Sequence, residues 1–305
     1  MILEKYESTG NDILLAAISE LQEEGIEISS VNLSEIARTA CDRHFGIGAD
    51  HLILLDDQGI SREDFPGYSQ DENAHCRMIF FNSDGSKAEM SGNGIRCFAL
   101  FAKSKGYGEI LNNGEWQVRV ETLAGTKSID LKSNEYSSIQ GDVNMGQVLF
   151  EPDQIPLNNE SSTDVPGTIL GKQRLGMAAN SGIPHWTLLL EDIEELNSEN
   201  LASEALSLRF DERFPNQTNV DVVVVNTRND VSARFFERGA NETLSCGTGV
   251  TAVAAMLNRA GMCGEDVTVH IRGGELRAVK NKDDSWILSG PVRKIARCEF
   301  FSSVG

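Results

Sequence analysis

Most apolar runs in this chain are short and bounded by Gly, Asn, Asp or Pro, which is the pattern of strands rather than long helices. Residues 1–5 and 11–17 read as strands around a polar turn at residues 7–12. Residues 51–55 and 77–82 read as buried strands, and 116–122 with 127–131 as a hairpin around Ala124-Gly125. In the second half, strands are predicted near 143–150, 174–179, 186–190, 219–226, 232–237, 267–271, 275–279 and 286–289. Residues 58–75 are polar, carry Pro66 and Gly67, and read as a surface loop.

Helical spacing appears in few places. Leu33, Ile36, Ala37 and Ala40 recur on one face, with Asn32 as the expected N-cap and Glu35 three residues on, to about Arg43. A second helix is predicted from Ile95 to about Lys105, stopped by Gly106. The third lies in residues 240–262, where Cys246-Gly247-Thr248-Gly249 opens a run of small and apolar residues that ends at Gly261. Many strands with few helices and no regular βαβ alternation predict an α+β fold.

Two of these segments are copies of one construction. Phe80-Phe81 through Ser91-Gly92-Asn93-Gly94 aligns without a gap on Phe235-Phe236 through Cys246-Gly247-Thr248-Gly249, at a constant offset (246 − 91 = 155) that Gly106 and Gly261 keep. The repeat predicts two homologous domains, each with one central helix wrapped by strands. Their expected extents are residues 1–137, joined by the tail 290–305, and residues 138–289.

The chemistry follows from what opens each helix. Free backbone N–H groups and the positive end of the dipole gather at a helix N-terminus, where they favour a thiolate at Cys246 and accept a carboxylate. A single Cys-Gly-x-Gly is equally a buried cysteine in a tight turn. The repeat changes the balance. Two helix N-termini turned to one cleft would hold a carboxylate between them, with Ser91 and Cys246 approaching the adjacent carbon from opposite faces. That arrangement implies a racemase or epimerase, with developing charge stabilised electrostatically.

Composition adds exclusions. The chain has 305 residues, 40% hydrophobic and 24% charged, enough for a large core and about two domains. The net charge of −19 is spread along the chain and argues against a nucleic-acid partner. No apolar run approaches a membrane span and the first residues lack a signal-peptide pattern, so a cytoplasmic protein is expected. The six cysteines show no zinc-like spacing, so no metal site is expected and the thiols read as free.

The chain also resembles the diaminopimelate epimerase family almost end to end. The resemblance is carried by Gly10-Asn11-Asp12, Asp42-Arg43-His44-Phe45-Gly46-Ile47-Gly48-Ala49-Asp50, Asn82-Ser83-Asp84-Gly85-Ser86, Gly92-Asn93-Gly94-Ile95-Arg96-Cys97 and Pro184-His185. It continues in Phe214-Pro215, Thr218-Asn219-Val220, Glu237-Arg238-Gly239, Glu242-Thr243, Cys246-Gly247-Thr248-Gly249 and Gly290-Pro291. It implies two pseudo-symmetric domains, each a strongly curved, mostly antiparallel sheet around a central helix, in a homodimer acting on a small amino-acid substrate without a cofactor.

By the same resemblance, Cys246 is one of two acid/base thiols, and His185 and Glu237 belong to the catalytic set. Gly92, Asn93, Gly247 and Thr248 hold the carboxylate at the reacting carbon. Asn11, Asn82, Asn219, Glu237 and Arg238 hold the substrate's ends. This chain departs from the pattern at Ser91, where the partner cysteine belongs, and at Ile183, where an Asn precedes Pro-His. A hydroxyl is a far weaker acid than a thiol, so slower two-base turnover is expected. Cys97, well over a turn into the helix, is no substitute. His51, where Gly is common, reads as a surface change. Ser91 leaves open a racemase-like or dehydrating relative acting on proline-type substrates, or a non-catalytic amino-acid binder.

Overall fold

A computed structural model describes residues 1–59, 65–69, 71–133, 139–239 and 241–301. Part of the 58–75 loop, Ala240 at the start of the Cys246 stretch, and the 137/138 domain junction lie outside these residues. The chain divides into two compact units, residues 1–143 with 290–305, and residues 144–289.

Unit 1 contains β1 (Ile2–Ser8), β2 (Asn11–Ala17), α1 (Ile18–Glu23), α2 (Ser30–Ala40), β3 (His51–Asp56), β4 (Cys76–Asn82) and α3 (Gly92–Ser104). It continues with β5 (Glu109–Ile110), β6 (Trp116–Thr122), β7 (Gly125–Ser133) and β8 (Ile139–Gln147), the last of which runs through the unit boundary. Its strands pair in the order β1-β2-β3-β4-β6-β7-β8. The ladders are antiparallel except for β2–β3 and β4–β6.

Unit 2 contains β9 (Gly167–Ile169), β10 (Lys172–Arg174), β11 (Gly176–Asn180), β12 (Pro184–Leu189), α4 (Ile193–Leu196), α5 (Leu201–Leu208), β13 (Asn219–Thr227), β14 (Asp230–Phe236) and β15 (Glu242–Thr243). Then come α6 (Gly247–Arg259), β16 (Asp266–Ile271), β17 (Gly274–Lys280) and β18 (Ser285–Glu299). The order β11-β12-β13-β14-β16-β17-β18 repeats the ladder types of unit 1, with β12–β13 and β14–β16 parallel. The second part of β18 belongs to unit 1, where residues 293–299 pair antiparallel with β1. The sequence repeat is therefore a repeat of topology, and the α+β class with a mostly antiparallel sheet around one helix holds for each unit.

The central helices explain the sheets' curvature. In α3 ten residues from Gly92 to Ala102 are buried, and the helix touches β1, β2, β3, β6 and β7. In α6 the buried run from Val250 to Leu257 lies against β11, β12, β13, β16 and β17. A helix apolar on all sides needs strands on all sides. Its small residues let them approach.

Several local expectations change. The N-cap of α2 is Ser29, whose hydroxyl accepts from Asn32 N at 3.2 Å, so Asn32 lies inside the first turn and the helix ends at Ala40. Helix α3 begins at Gly92 and not at Ile95, because Ser91 caps it. Phe65, within the expected polar surface loop, is buried. Three short helices, α1, α4 and α5, have too few turns to show a helical period.

Candidate active site

In unit 2, β12 and β13 run parallel with His185 opposite Asn219, and β13 and β14 run antiparallel with Val220 opposite Phe236. This register brings His185, Asn219 and Glu237 to neighbouring strand ends. Cys246 caps α6, and its Sγ accepts from Gly249 N at 3.4 Å. It is 4% exposed, so the thiol is enclosed by these groups rather than presented to water.

The polar contacts form a chain. The Cys246 Sγ and Thr248 Oγ1 lie 3.4 Å apart, and Thr248 Oγ1 lies 3.1 Å from His185 Nε2. On the other side of the ring, His185 Nδ1 is 3.0 Å from both oxygens of Asp221. Thr187 Oγ1 donates to Asp221 at 3.3 Å. His185, Asp221 and Thr187 are fully buried. Asn219 Oδ1 accepts from Arg238 N at 2.7 Å, which turns the Asn219 amide nitrogen toward His185 Nε2 at 3.5 Å. Thr243 donates to Glu237 Oε1 at 2.6 Å, and Ser181 donates to the Thr248 carbonyl at 2.9 Å. The Ile183 carbonyl accepts from Ser181 N at 3.3 Å.

This environment corrects the expectation of a thiolate-favouring helix end. Burial pushes the Cys246 thiol well above its ordinary value, and the Glu237 and Asp221 carboxylates push it further; the bonds from Thr248 and Gly249 pull the other way and lose. Burial also raises the Glu237 carboxyl, against the pull of Thr243, of His185 and of a hydrogen bond with Cys246. It raises that of Asp221, against the pull of His185. A thiol held high is a poor acid but, once ionised, a strong base.

In unit 1 the corresponding group is Ser91, half-buried, whose Oγ caps α3 by accepting from Gly94 N at 3.1 Å. Among the described residues no histidine or carboxylate hydrogen-bonds to that hydroxyl. Asn11, His51 and Asn82 lie at the same end of the neighbouring strands β2, β3 and β4, since Ile13 lies opposite His51 and His51 opposite Asn82. Asn11 Nδ2 donates to Asp50 at 2.7 Å, and Asn82 Nδ2 donates to Ser86 Oγ at 2.9 Å. Beneath Asn93 lies Arg96, fully buried, its Nη2 donating to Asn93 Oδ1 at 2.6 Å and to Ser8 Oγ at 2.8 Å. Burial lowers its guanidinium to about 10.

His51 is not a surface change. Its ring is edge-on to Phe80 with centroids 4.8 Å apart, and Nδ1 is buried with no hydrogen-bond partner among the described residues. Burial lowers its pKa, although Asp50, Asp12 and Asn82 oppose this. The predicted site residues thus fall into two groups: Asn11, Asn82, Ser91, Gly92 and Asn93 in unit 1, and His185, Asn219, Glu237, Arg238, Cys246, Gly247 and Thr248 in unit 2. Asp221 and Thr187 are absent from the sequence reading, and Thr243 enters it only as part of Glu242-Thr243, with no role. A lone acid inside Asn219-Val220-Asp221-Val222-Val223 is the signal that finds Asp221, because an unpaired buried carboxylate is prohibitive.

The sequence profile of the family described as diaminopimelate epimerase matches residues 6–150 and 177–295. The chain belongs to the diaminopimelate epimerase family. This is a family of isomerases. The diaminopimelate epimerase of Alkaliphilus metalliredigens is 31% identical, over 98% of this chain and 97% of the relative. That of Caldanaerobacter subterraneus is 34% identical over 97% of each. Among solved structures, a phenazine biosynthesis protein of the PhzF family from Bacillus anthracis has a TM-score of 0.64 at 12% identity, covering 98% of both chains. A hydroxyproline epimerase from Agrobacterium vitis, with bound trans-4-hydroxy-L-proline, has a TM-score of 0.64 at 14% identity, covering 98% of this chain and 91% of that one. At such identities they share the family's fold.

Proposed function

We propose that this protein converts LL-diaminopimelate to meso-diaminopimelate for lysine and peptidoglycan precursor synthesis, as a homodimer in the cytoplasm and without a cofactor. The observation that carries the reading is the buried Cys246 at the N-terminus of α6, within a cluster that includes His185 and Glu237. The backbone N–H groups of Gly92, Asn93, Gly247 and Thr248 take the carboxylate at the reacting carbon, where helix dipoles offset charge as the α-proton leaves. Asn11, Asn82, Asn219, Glu237 and Arg238 bind the amino and carboxyl groups at the substrate's ends. Cys246 exchanges the proton on one face. Ser91 serves the other face poorly, since its hydroxyl needs an activating base and, among the described residues, its bonded neighbour is the Gly94 N–H.

The test is solvent-deuterium exchange at the α-carbon of each stereoisomer. Exchange should be fast from one isomer and slow from the other, and Ser91→Cys should raise turnover by at least about 10-fold, a modest part of what a positioned acid/base group supplies. Fast epimerisation of both isomers by the unaltered chain would refute the assigned handicap. Turnover of a cyclic imino acid in place of diaminopimelate would overturn the substrate. Binding without exchange from either isomer would overturn the activity.

A further inference from the structure

Cys246 is enclosed, carries the charge of two nearby carboxylates, and must nevertheless lose its proton if it is to act as a base. Around it are Glu237 from the end of β14, whose carboxyl hydrogen-bonds to the thiol, and Thr248 and the Gly249 N–H on its own helix; His185 on β12 lies beyond Thr248, with Asp221 on β13 behind its ring. Among the described residues no hydrogen bond joins Cys246 directly to His185. Thr248 stands between them, 3.4 Å from the sulfur and 3.1 Å from Nε2.

The hydrogen-bond pattern fixes which way protons point. Asn219 Oδ1 is taken by the Arg238 N–H, so the group that Asn219 turns to Nε2 is an NH2, a donor. Nε2 is therefore an acceptor, and the imidazole proton resides on Nδ1, facing the Asp221 carboxylate. With Nε2 accepting, the Thr248 hydroxyl donates to it and keeps a lone pair for the thiol.

We propose that Thr248 is a proton relay from Cys246 to His185 and that Asp221 is the residue that positions His185 to receive the proton. The thiol gives its proton to Thr248 Oγ1 as Thr248 gives its own to Nε2. The S–H and Oγ1–H bonds break, a new Oγ1–H bond and an Nε2–H bond form, and thiol plus neutral imidazole become thiolate plus imidazolium. Net charge is unchanged, which a closed pocket requires, and Asp221 stays ionised beside the new cation. The reverse transfer reloads the thiol after it has given a proton to the substrate.

The repeat supports this. By register, Ile13 in unit 1 occupies the place of His185, and by the 155-residue offset Asn93 occupies that of Thr248. Asn93 Oδ1 accepts from Arg96, a cation that takes no proton. Among the described residues, the His185–Thr248 pair is found in the half that carries the thiol.

This inference rests on Cys246 being the acid/base group. The test begins with a readout that needs no substrate: ultraviolet titration of the Cys246 thiolate in the full chain, with Cys246→Ala as the blank. Thr248→Val, which keeps the backbone N–H, should move the titration upward, and Thr248→Ser should restore it. With diaminopimelate, Thr248→Val should lower kcat for α-proton exchange by about 10²-fold or more while KM changes by no more than about threefold. Asp221→Asn should have a similar effect, and the double variant should be no worse than either alone. A Thr248→Val titration matching the unaltered chain, with thiolate formation lost in Glu237→Gln, would make Glu237 the direct base and overturn the relay. Additive losses in the double variant would also overturn it. If diaminopimelate is not turned over but the titration follows Thr248, the substrate reading fails and the relay stands.

Discussion

Gly94 and Gly249 hold the same place in the two helices, and placing alanine at each should have different consequences. A Cβ at Gly249 would lie 2.5 Å from both Cδ1 and Cε1 of Phe235 and 3.2 Å from the Cys246 sulfur. Phe235 is 1% exposed, and a buried ring must move as a body by about 1 Å to reach ordinary contact distance. Overpacking of this kind costs about 1–3 kcal/mol, and two ring atoms struck at once place the cost at the upper end. The alanine returns at most about 1 kcal/mol of helix propensity, which leaves Gly249→Ala destabilised by about 2 kcal/mol. At Gly94 the first atom met is Ile53 Cδ1 at 3.0 Å, the far end of a side chain with two rotatable bonds. Its small displacement and the same gain in propensity nearly cancel, so Gly94→Ala should stay within about 1 kcal/mol of the parent. Urea unfolding followed by tryptophan fluorescence reads both, with Trp116 in unit 1 and Trp186 and Trp286 in unit 2. With a slope of about 2 kcal/mol per molar, Gly249→Ala should lower the midpoint of its unit by about 1 M. Equal losses at the two positions, or a larger one at Gly94, would refute the argument from the ring.

Trp186→Ala should destabilise unit 2 by about 3–5 kcal/mol, because its indole is fully buried and its N–H donates to the Val165 carbonyl at 2.7 Å; thermal unfolding checks this. Burial raises the Asp12 carboxyl, but Arg43 and Lys5 outweigh it and hold the pKa below the usual value. A depressed carboxylate stabilises the fold above its unfolded value near 4 and loses that contribution as pH falls through its folded value. Lys5→Met should therefore move the acid unfolding midpoint upward, and an unchanged midpoint would remove Lys5 from the account.

The helices that matter for chemistry were legible because each is announced by Gly-x-Gly and because the chain states the construction twice. The strand order was legible only as a repeat, since ladder pairing depends on which strands the central helix gathers and not on any one strand's pattern. The sign of the effect on Cys246 was not legible. A helix N-terminus favours a thiolate, but burial opposes it, together with the charges of Glu237 and Asp221, which the fold brings near. His51 was misread for the same reason, since nothing adjacent in the sequence shows that Phe80 covers its ring. Asp221 could have been read from its apolar strand, and its partner His185 only from the register of two parallel strands.

The pairing of β1 with the far part of β18 has a consequence for how the protein is made. The Met1 amino group donates to the Phe300 carbonyl at 2.8 Å across a sequence separation of 299 residues, and Ile2 lies opposite Glu299. On the ribosome, β1 emerges before its partner residues 293–299 and waits through synthesis of all of unit 2 with one edge bare. Contacts of such sequence range form late and slowly, and an unpaired edge during that interval invites pairing between nascent chains. A fragment cut at residue 143 would retain that exposed edge permanently, so unit 1 expressed without residues 290–301 should self-associate. A chain reopened at a loop of unit 2, with its present ends joined, would complete the β1 pairing without that wait.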